Sequence, residues 1–546
     1  MMLLQLIQHV AVAIPTALPT DIPSQLTSIP PVPGASPAPS TTPASTSPQI
    51  LLSIIVWLPL LGAALVLLLP GKTEADQGRI KNAALVFTGI PMAAALFATV
   101  STFTELGVAY SGGFKFEENY TWIGAFGAHY HIGVDGISLP MVLLSTILFF
   151  VAVMASLNLK VRVKEYFFLI LVLDVGVTGV FTAMDLFLFF VFWEIELIPM
   201  FLLILIWGGK KRVYAAWKFL LFTISASALL LLAILILYFK AGQSTFDMQA
   251  LGQAKLAPEL AATLFWLFFL CFAIKLPAFP FHTWLPDAHV EAPTAVSVLL
   301  AGILLKMGGY GIIRICVGMF QAQNKQYSLA ILTFAVVGIL WGSVAALVQD
   351  DMKRLVAYSS VAHMGFVLLA VSAGTAIALN GAVLELFAHG LITGALFLLV
   401  GLVYDRAHTR SIRELGGLAQ RMPYLTAAWV IAAFASAGLP GFAGFIAEFE
   451  IFIGSFSVHK IGTFLAVFGV VLSAVYLLWM LQRVFFGSLK EAWAKLKDPG
   501  PVELGYMVGI LSVIFLVGVA PKLLTQLINY GVAGLTAGAI PTGLGQ

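Results

Sequence analysis

The sequence is poor in charge: Asp, Glu, Lys and Arg together make up 10% of 546 residues. Soluble globular proteins carry about 25%. So few charges cannot cover a body dissolved in water, and the soluble enzyme classes drop out. Cysteine is scarcer still, with Cys271 and Cys316 the whole complement. Two thiols alone hold neither a structural zinc nor an iron–sulfur cluster. Both lie in apolar runs, which argues against a disulfide framework. A phosphate loop is also missing, because Gly71-Lys72-Thr73 has Val66 where the upstream glycine belongs. A net charge of +3 marks no nucleic-acid partner.

What is abundant is apolar sequence: 60% of residues, with mean hydropathy +0.98. A spanning helix takes roughly 20 such residues. The runs are uniformly apolar and lack the alternation of a β-barrel strand. The predicted fold is therefore an all-α polytopic membrane protein with about fourteen spans. They fall at 51–70, 82–104, 136–158, 165–183, 185–207, 215–239, 258–280, 293–319, 327–348, 354–374, 378–404, 423–456, 461–482 and 503–525. The seventh is broken by Pro277 and Pro280, the twelfth by Gly438-Leu439-Pro440-Gly441.

Residues 1–50 differ from the rest. They hold ten of the 26 prolines and no Lys or Arg. We read them as a Pro/Ser/Thr-rich, uncleaved extension; the apolar stretch 3–14 lacks the basic flank of a signal peptide. The remaining segments are 51–160 (three spans), 165–319, 327–482, and 483–546 (a loop, the last span and a tail).

Lys and Arg mark one face. With the N-terminus outside, the inner loops carry 19 of them and the outer segments six; Lys218, Lys275, Lys306 and Arg314 lie inside helices. Both termini are then expected outside the cytoplasm. Arg314 lies near a helix end and reads as an anchor. Spans 4–8 and 9–13 read as two five-helix units. Five is odd, so the second enters from the opposite side, and each unit has a proline-broken fourth helix. Such paired breaks point to a transport site near the midplane.

The second, third and fourth helices of each unit carry ionisable residues: Glu194, Lys218 and Lys275, then His363, His389 and Glu448. Lys306 adds another in span 8. A charge at the bilayer centre costs at least ~2.5–3.5 kcal/mol on insertion scales. One such residue alone can be structural; a series with one member per helix suits proton transfer. Buried Lys and Glu favour their neutral forms unless an opposite charge is near, and His relays either way. Glu385 and Glu450 are expected as supporting groups, and Asp174 has no evident role.

Several of these residues lie in longer motifs. They include Phe192-Trp193-Glu194, Phe272-Ala273-Ile274-Lys275-Leu276-Pro277 and His282-Thr283-Trp284-Leu285-Pro286-Asp287-Ala288-His289. Leu304-Leu305-Lys306, Asp351-Met352-Lys353-Arg354, His363-Met364-Gly365 and Ala388-His389-Gly390 follow. From about residue 50 to 520 the chain resembles the proton-conducting antiporter-like subunits of respiratory complex I. Glu448, and the end of the chain soon after span 14, resemble the M branch rather than L or N. The resemblance implies that Glu194 modulates Lys275, that Lys306 and the histidines relay, and that Glu448 ends the axis. It implies no cofactor in this chain, with FMN, iron–sulfur clusters and quinone in partner subunits. It also implies lateral neighbours of the L and N types in the bacterial inner (plasma) membrane. The competing reading is a subunit of a multisubunit cation/proton antiporter of the same superfamily.

The charge bias makes a topological prediction. Single cysteines placed in 405–422 or 484–500 should react with an impermeant thiol reagent only from the cytoplasmic side. Labelling of 405–422 from outside intact cells would contradict it.

Overall fold

The computed structural model describes residues 50–105, 113–242 and 245–536. The predicted arm, with its apolar stretch 3–14, and the last ten residues of the tail lie outside the described residues. Among the described residues, thirteen helices are long and apolar enough to cross a membrane. The twelfth predicted span appears as two shorter helices.

The first helices are α1 (Leu51–Leu68), α2 (Glu74–Glu105), α3 (Ser138–Ala155) and α4 (Val163–Thr182). The fifth span comes in two pieces, α5 (Leu186–Ile195) and α6 (Leu197–Trp207). This interruption was not expected from the sequence. Its cause is Pro199, which has no N–H to bond the Ile195 carbonyl and so opens the ladder at Glu196. Next come α7 (Arg212–Lys240) and α8 (Pro258–Lys275). As expected, α8 stops just before Pro277, and the chain resumes as α9 (Trp284–Glu291).

Then follow α10 (Thr294–Val317), α11 (Ser328–Leu347), α12 (Met352–Ala373) and α13 (Ala376–Ala407). The twelfth predicted span is α14 (Pro423–Ser436) and α15 (Ala443–Phe456), parted at Gly438 (φ +69°) and Gly441 (φ +98°). The last elements are α16 (Lys460–Val484), α17 (Pro501–Val519) and α18 (Lys522–Thr536). The most apolar stretches of α10 and α13 are entirely buried, whereas in α11, α16 and α17 fewer than half of the residues in that stretch are.

One element departs from the helical pattern. β1 (Lys115–Ile123) and β2 (Ala128–Val134) form an antiparallel hairpin closed at Gly127. Its aromatic and β-branched residues suit a strand, but a search for 20-residue runs passes over it. The hairpin is pinned to α1, where Ser53 Oγ and Trp57 Nε1 meet Tyr130 Oη at 2.8 and 2.9 Å. It also ties down α5: Asp185 caps that helix through Phe187 N and Leu188 N and accepts from His129 N. Arg314 is no surface anchor. It is buried and grips Asp135 with two bonds of 2.6 and 2.8 Å, joining α10 to the start of α3.

His131 is a second clasp. Its ring nitrogens lie 2.9 Å from Asp247 and 2.8 Å from Glu117, and its side chain is 5% exposed. Burial alone would lower its pKa; hydrogen bonds and charge from Asp247 and Glu117 outweigh this and push it up to about 9. A raised folded-state pKa means the stabilisation is complete below about 6.5. It is lost as pH rises through about 9. Hydrogen exchange at 115–134 should therefore accelerate above pH 9. His131→Gln should show the faster exchange at every pH.

Candidate functional site

The site is built where helices come close enough to exclude lipid. A Cβ on Gly390 would stand 2.7 Å from the Gly302 carbonyl, and one on Gly308 would stand 2.6 Å from Leu276 N. Only glycine permits these approaches, as at other small-residue contacts in membranes. They press α10 against α13 on one side and against the end of α8 on the other. Lys306 and His389 neighbour these glycines in sequence. The Lys306 ammonium accordingly donates to Ala301 O at 2.5 Å and meets His389 Nδ1 at 2.8 Å. Widened helical turns at Leu300–Leu304 and Ile312–Val317 flank it, a form often found at functional positions.

Lys275 ends α8. Its ammonium is bonded to Glu196, at the α5/α6 interruption, and both side chains are 1% exposed. The rings of Trp193 and Phe219 lie 5.3 and 5.7 Å from it. The partner is therefore Glu196 rather than the expected Glu194. Two residues along a helix turn a side chain to roughly the opposite side, so only one of the two can face α8 directly. Glu194 is half-buried, with Oε1 enclosed and unbonded.

Beyond Lys306 the row continues. The His389 and His363 rings are 5.2 Å apart. His363 Nδ1 lies 2.7 Å from Ser359 O, and Nε2 lies 3.1 Å from Ser436 O. Nε2 is also 3.7 Å from Glu448 Oε1. His363, His389, Glu385 and Glu448 line one narrow cleft. Lys218 stands apart from the row. It bonds Asp287 at 2.7 Å, and Asp287 in turn pairs with Arg354 at 2.8 Å.

Three participants were missed or left in the background. Glu385 shares a face with His389, four residues away, which is the signal that could have ranked it. Lys353, counted among loop residues, is 3% exposed and donates to Ala292 O and Ser297 Oγ at 2.6 and 3.1 Å. His289 is wholly buried against Phe397, with both ring nitrogens unbonded. No group of three or more His, Cys, Asp or Glu among the described residues is arranged to hold a metal.

The sequence profile of the NADH:quinone oxidoreductase/Mrp antiporter transmembrane family matches residues 183–474. NADH-quinone oxidoreductase subunit M of Rhodobacter capsulatus is 42% identical, over 89% of this chain and 96% of that protein. The chain belongs to this family. NAD(P)H-quinone oxidoreductase chain 4 1 of Picosynechococcus sp. is 43% identical over 76% of this chain and 79% of that protein. A chain of respiratory complex I from Thermus thermophilus with bound NADH superposes with TM-score 0.79 at 30% identity, over 89% of this chain and 99% of that one. A chain of the Mrp complex from Dietzia sp. shares the fold, with TM-score 0.77 at 22% identity over 89% of this chain and 97% of that one. Family membership makes the chain a multi-pass membrane subunit of the complex I type.

The α14/α15 turn offers a structural test. A Cβ on Gly438 would lie 2.5 Å from Glu448 Oε2, whereas Gly441 has nothing within 4 Å. Both need left-handed backbone, which costs an L residue about 1–2 kcal/mol. Gly438→Ala should therefore destabilise the protein more than Gly441→Ala, because it also displaces the carboxylate. Thermal unfolding of the two variants compares them; equal losses would mean that Glu448 does not lean on the turn.

Proposed function

We propose that the chain is the M-type proton-translocating subunit of a bacterial NADH–quinone oxidoreductase. The observation that carries this reading is the enclosed row Glu196–Lys275, Lys306–His389, His363–Glu448. Hydrocarbon would not tolerate these groups singly, and intramembrane ionisable residues arranged in a row suit proton relay. Lys275, seated on a carboxylate between two aromatic faces, is the switch: making or breaking that pair changes its hold on a proton. Lys306 and the two histidines pass the proton along the row. Glu448, with Glu385 beside it, ends the row. Glu194 acts on the Lys275 centre from the same span, two residues before Glu196. Lys218 belongs to an ion cluster with Asp287 and Arg354 and supports the α9 end rather than the row.

The energy comes from elsewhere. Redox chemistry belongs to partner subunits bearing FMN, iron–sulfur clusters and quinone, and subunits of the L and N types flank this chain. In this reading spans 4–8 and 9–13 are inverted repeats, the membrane is the bacterial plasma membrane, and both termini face outward. The antiporter alternative is weaker: relatives at 42–43% identity are named as oxidoreductase subunits, whereas the Mrp likeness, at 22% identity, extends to the fold alone.

The test is proton uptake by membrane vesicles driven by NADH, normalised to assembled complex. Lys275→Ala should remove most pumping and, through coupling, most quinone reduction. Glu448→Gln should do the same, while Glu448→Asp keeps a substantial part. Near wild-type pumping in an assembled Lys275→Ala complex would refute the role.

A further inference from the structure

A cavity of about 370 Å³ opens at the end of the bundle that the charge bias places outside. It lies where α10 gives way to α11, α12 to α13 and α15 to α16, with Thr536 of α18 beside it. Hydrogen bonds between these segments fix its walls. Gln321 Nε2 donates to Leu535 O at 2.5 Å and Asn324 Nδ2 to Val371 O at 2.9 Å, while His459 Nε2 lies 3.2 Å from Ser372 O.

The lining is polar and carries one charge. Lys325 has neither an ion pair nor a hydrogen bond among the described residues, and no Asp or Glu among them lines the space. Ser328 Oγ is also unbonded, and α11 opens at Ser328 with no side chain capping its N-terminus. An ammonium beside the N–H groups of a first helical turn favours an anion. Asn324 adds a second requirement. It lines the cavity at 4% exposure, and its Oδ1 is enclosed without a donor. Buried acceptors are normally paired, so an occupant that fits carries an N–H or O–H group as well as the anion.

The rim is apolar. Leu329 and Val458 are exposed beside the cavity. Next to it α11 and α16 pack closely, since a Cβ on Gly462 would stand 2.7 Å from Leu332 Cδ1. Ile461, Phe464, Leu465 and Phe468 continue from Val458 along one exposed face of α16. A free phosphate ion gains nothing from that face, whereas an acyl chain covers it.

We propose that this cavity holds the headgroup of a phospholipid. The phosphate sits on Lys325 and the α11 N-terminus, the ammonium or hydroxyl donates to Asn324 Oδ1, and an acyl chain follows α16. Ethanolamine and glycerol headgroups meet both requirements. A choline headgroup does not, because its quaternary nitrogen has no N–H. The inference does not depend on the proton role of Lys275.

The test uses the assembled complex in phosphatidylcholine nanodiscs. The probe is a phosphatidylethanolamine with a photoactivatable diazirine high on one acyl chain, and its adducts are mapped by peptide mass spectrometry. They should fall on 325–332 and 458–465. They should drop at least five-fold in Lys325→Glu and in Asn324→Leu, but not in Lys255→Glu, which reverses another outer lysine. Added phosphatidylethanolamine or phosphatidylglycerol should displace the probe at least five-fold better than added phosphatidylcholine. Undiminished adducts in Lys325→Glu, or equal displacement by phosphatidylcholine, overturn the proposal. Displacement by inorganic phosphate overturns it in favour of a plain anion site. Adducts that appear only after removal of 537–546 overturn it in favour of the chain's own tail. If Asn324→Leu does not assemble, Lys325→Glu and the lipid competition decide.

Discussion

Hydrocarbon cannot solvate a charge, and the rest of the structure answers to that constraint. Lys275, Lys306, His389 and Glu448 can stay in the membrane only if protein surrounds them and supplies partners. Enclosure requires helices closer than ordinary side chains allow. The Gly302–Gly390 and Gly308–Leu276 contacts provide it and, in doing so, set the distance between Lys306 and His389. The apolar stretches of α10 and α13 are buried, and helices such as α11, α16 and α17 are the more exposed.

The second theme is interruption. Glu196 lies in a break, Lys275 ends a helix, Lys306 sits between two widened turns, and Glu448 packs over the Gly438 turn. Irregular backbone at membrane depth is tolerated only inside protein or beside a cavity. Here each irregularity adjoins an ionisable group. The capped and clasped parts lie elsewhere. Asp185 caps α5, His131 clasps the hairpin, and Arg314 locks α10 to α3 through Asp135.

Legibility followed chemistry that acts along the chain. Pro277 and the Gly438–Gly441 segment announced two breaks, because missing donors and left-handed backbone are local properties. The third, at Glu196, was equally local, being due to Pro199, but an unbroken apolar run concealed it. The site was harder to read. Lys275, Lys306, His363, His389 and Glu448 stood out because a charge in an apolar run is conspicuous. Lys353 did not, because it follows Asp351 at a basic loop and looks solvated until α12 is packed. Lys218 looked like a member of the row, but its partner, Asp287, is 69 residues away.

The sequence by itself determined the class, most of the spans, and which ionisable residues lie inside apolar runs. These follow from composition and spacing, which the bilayer reads one segment at a time. Only the tertiary structure decided partnership: Glu196 rather than Glu194 on Lys275, His389 on Lys306, Glu385 beside Glu448, Asp135 on Arg314. The reason is geometric. A hydrogen bond forms within about 3 Å, and which side chains meet at that range depends on helix rotation and on where glycine lets two backbones touch. Both are properties of packed pairs of helices, and neither is written in any one of them.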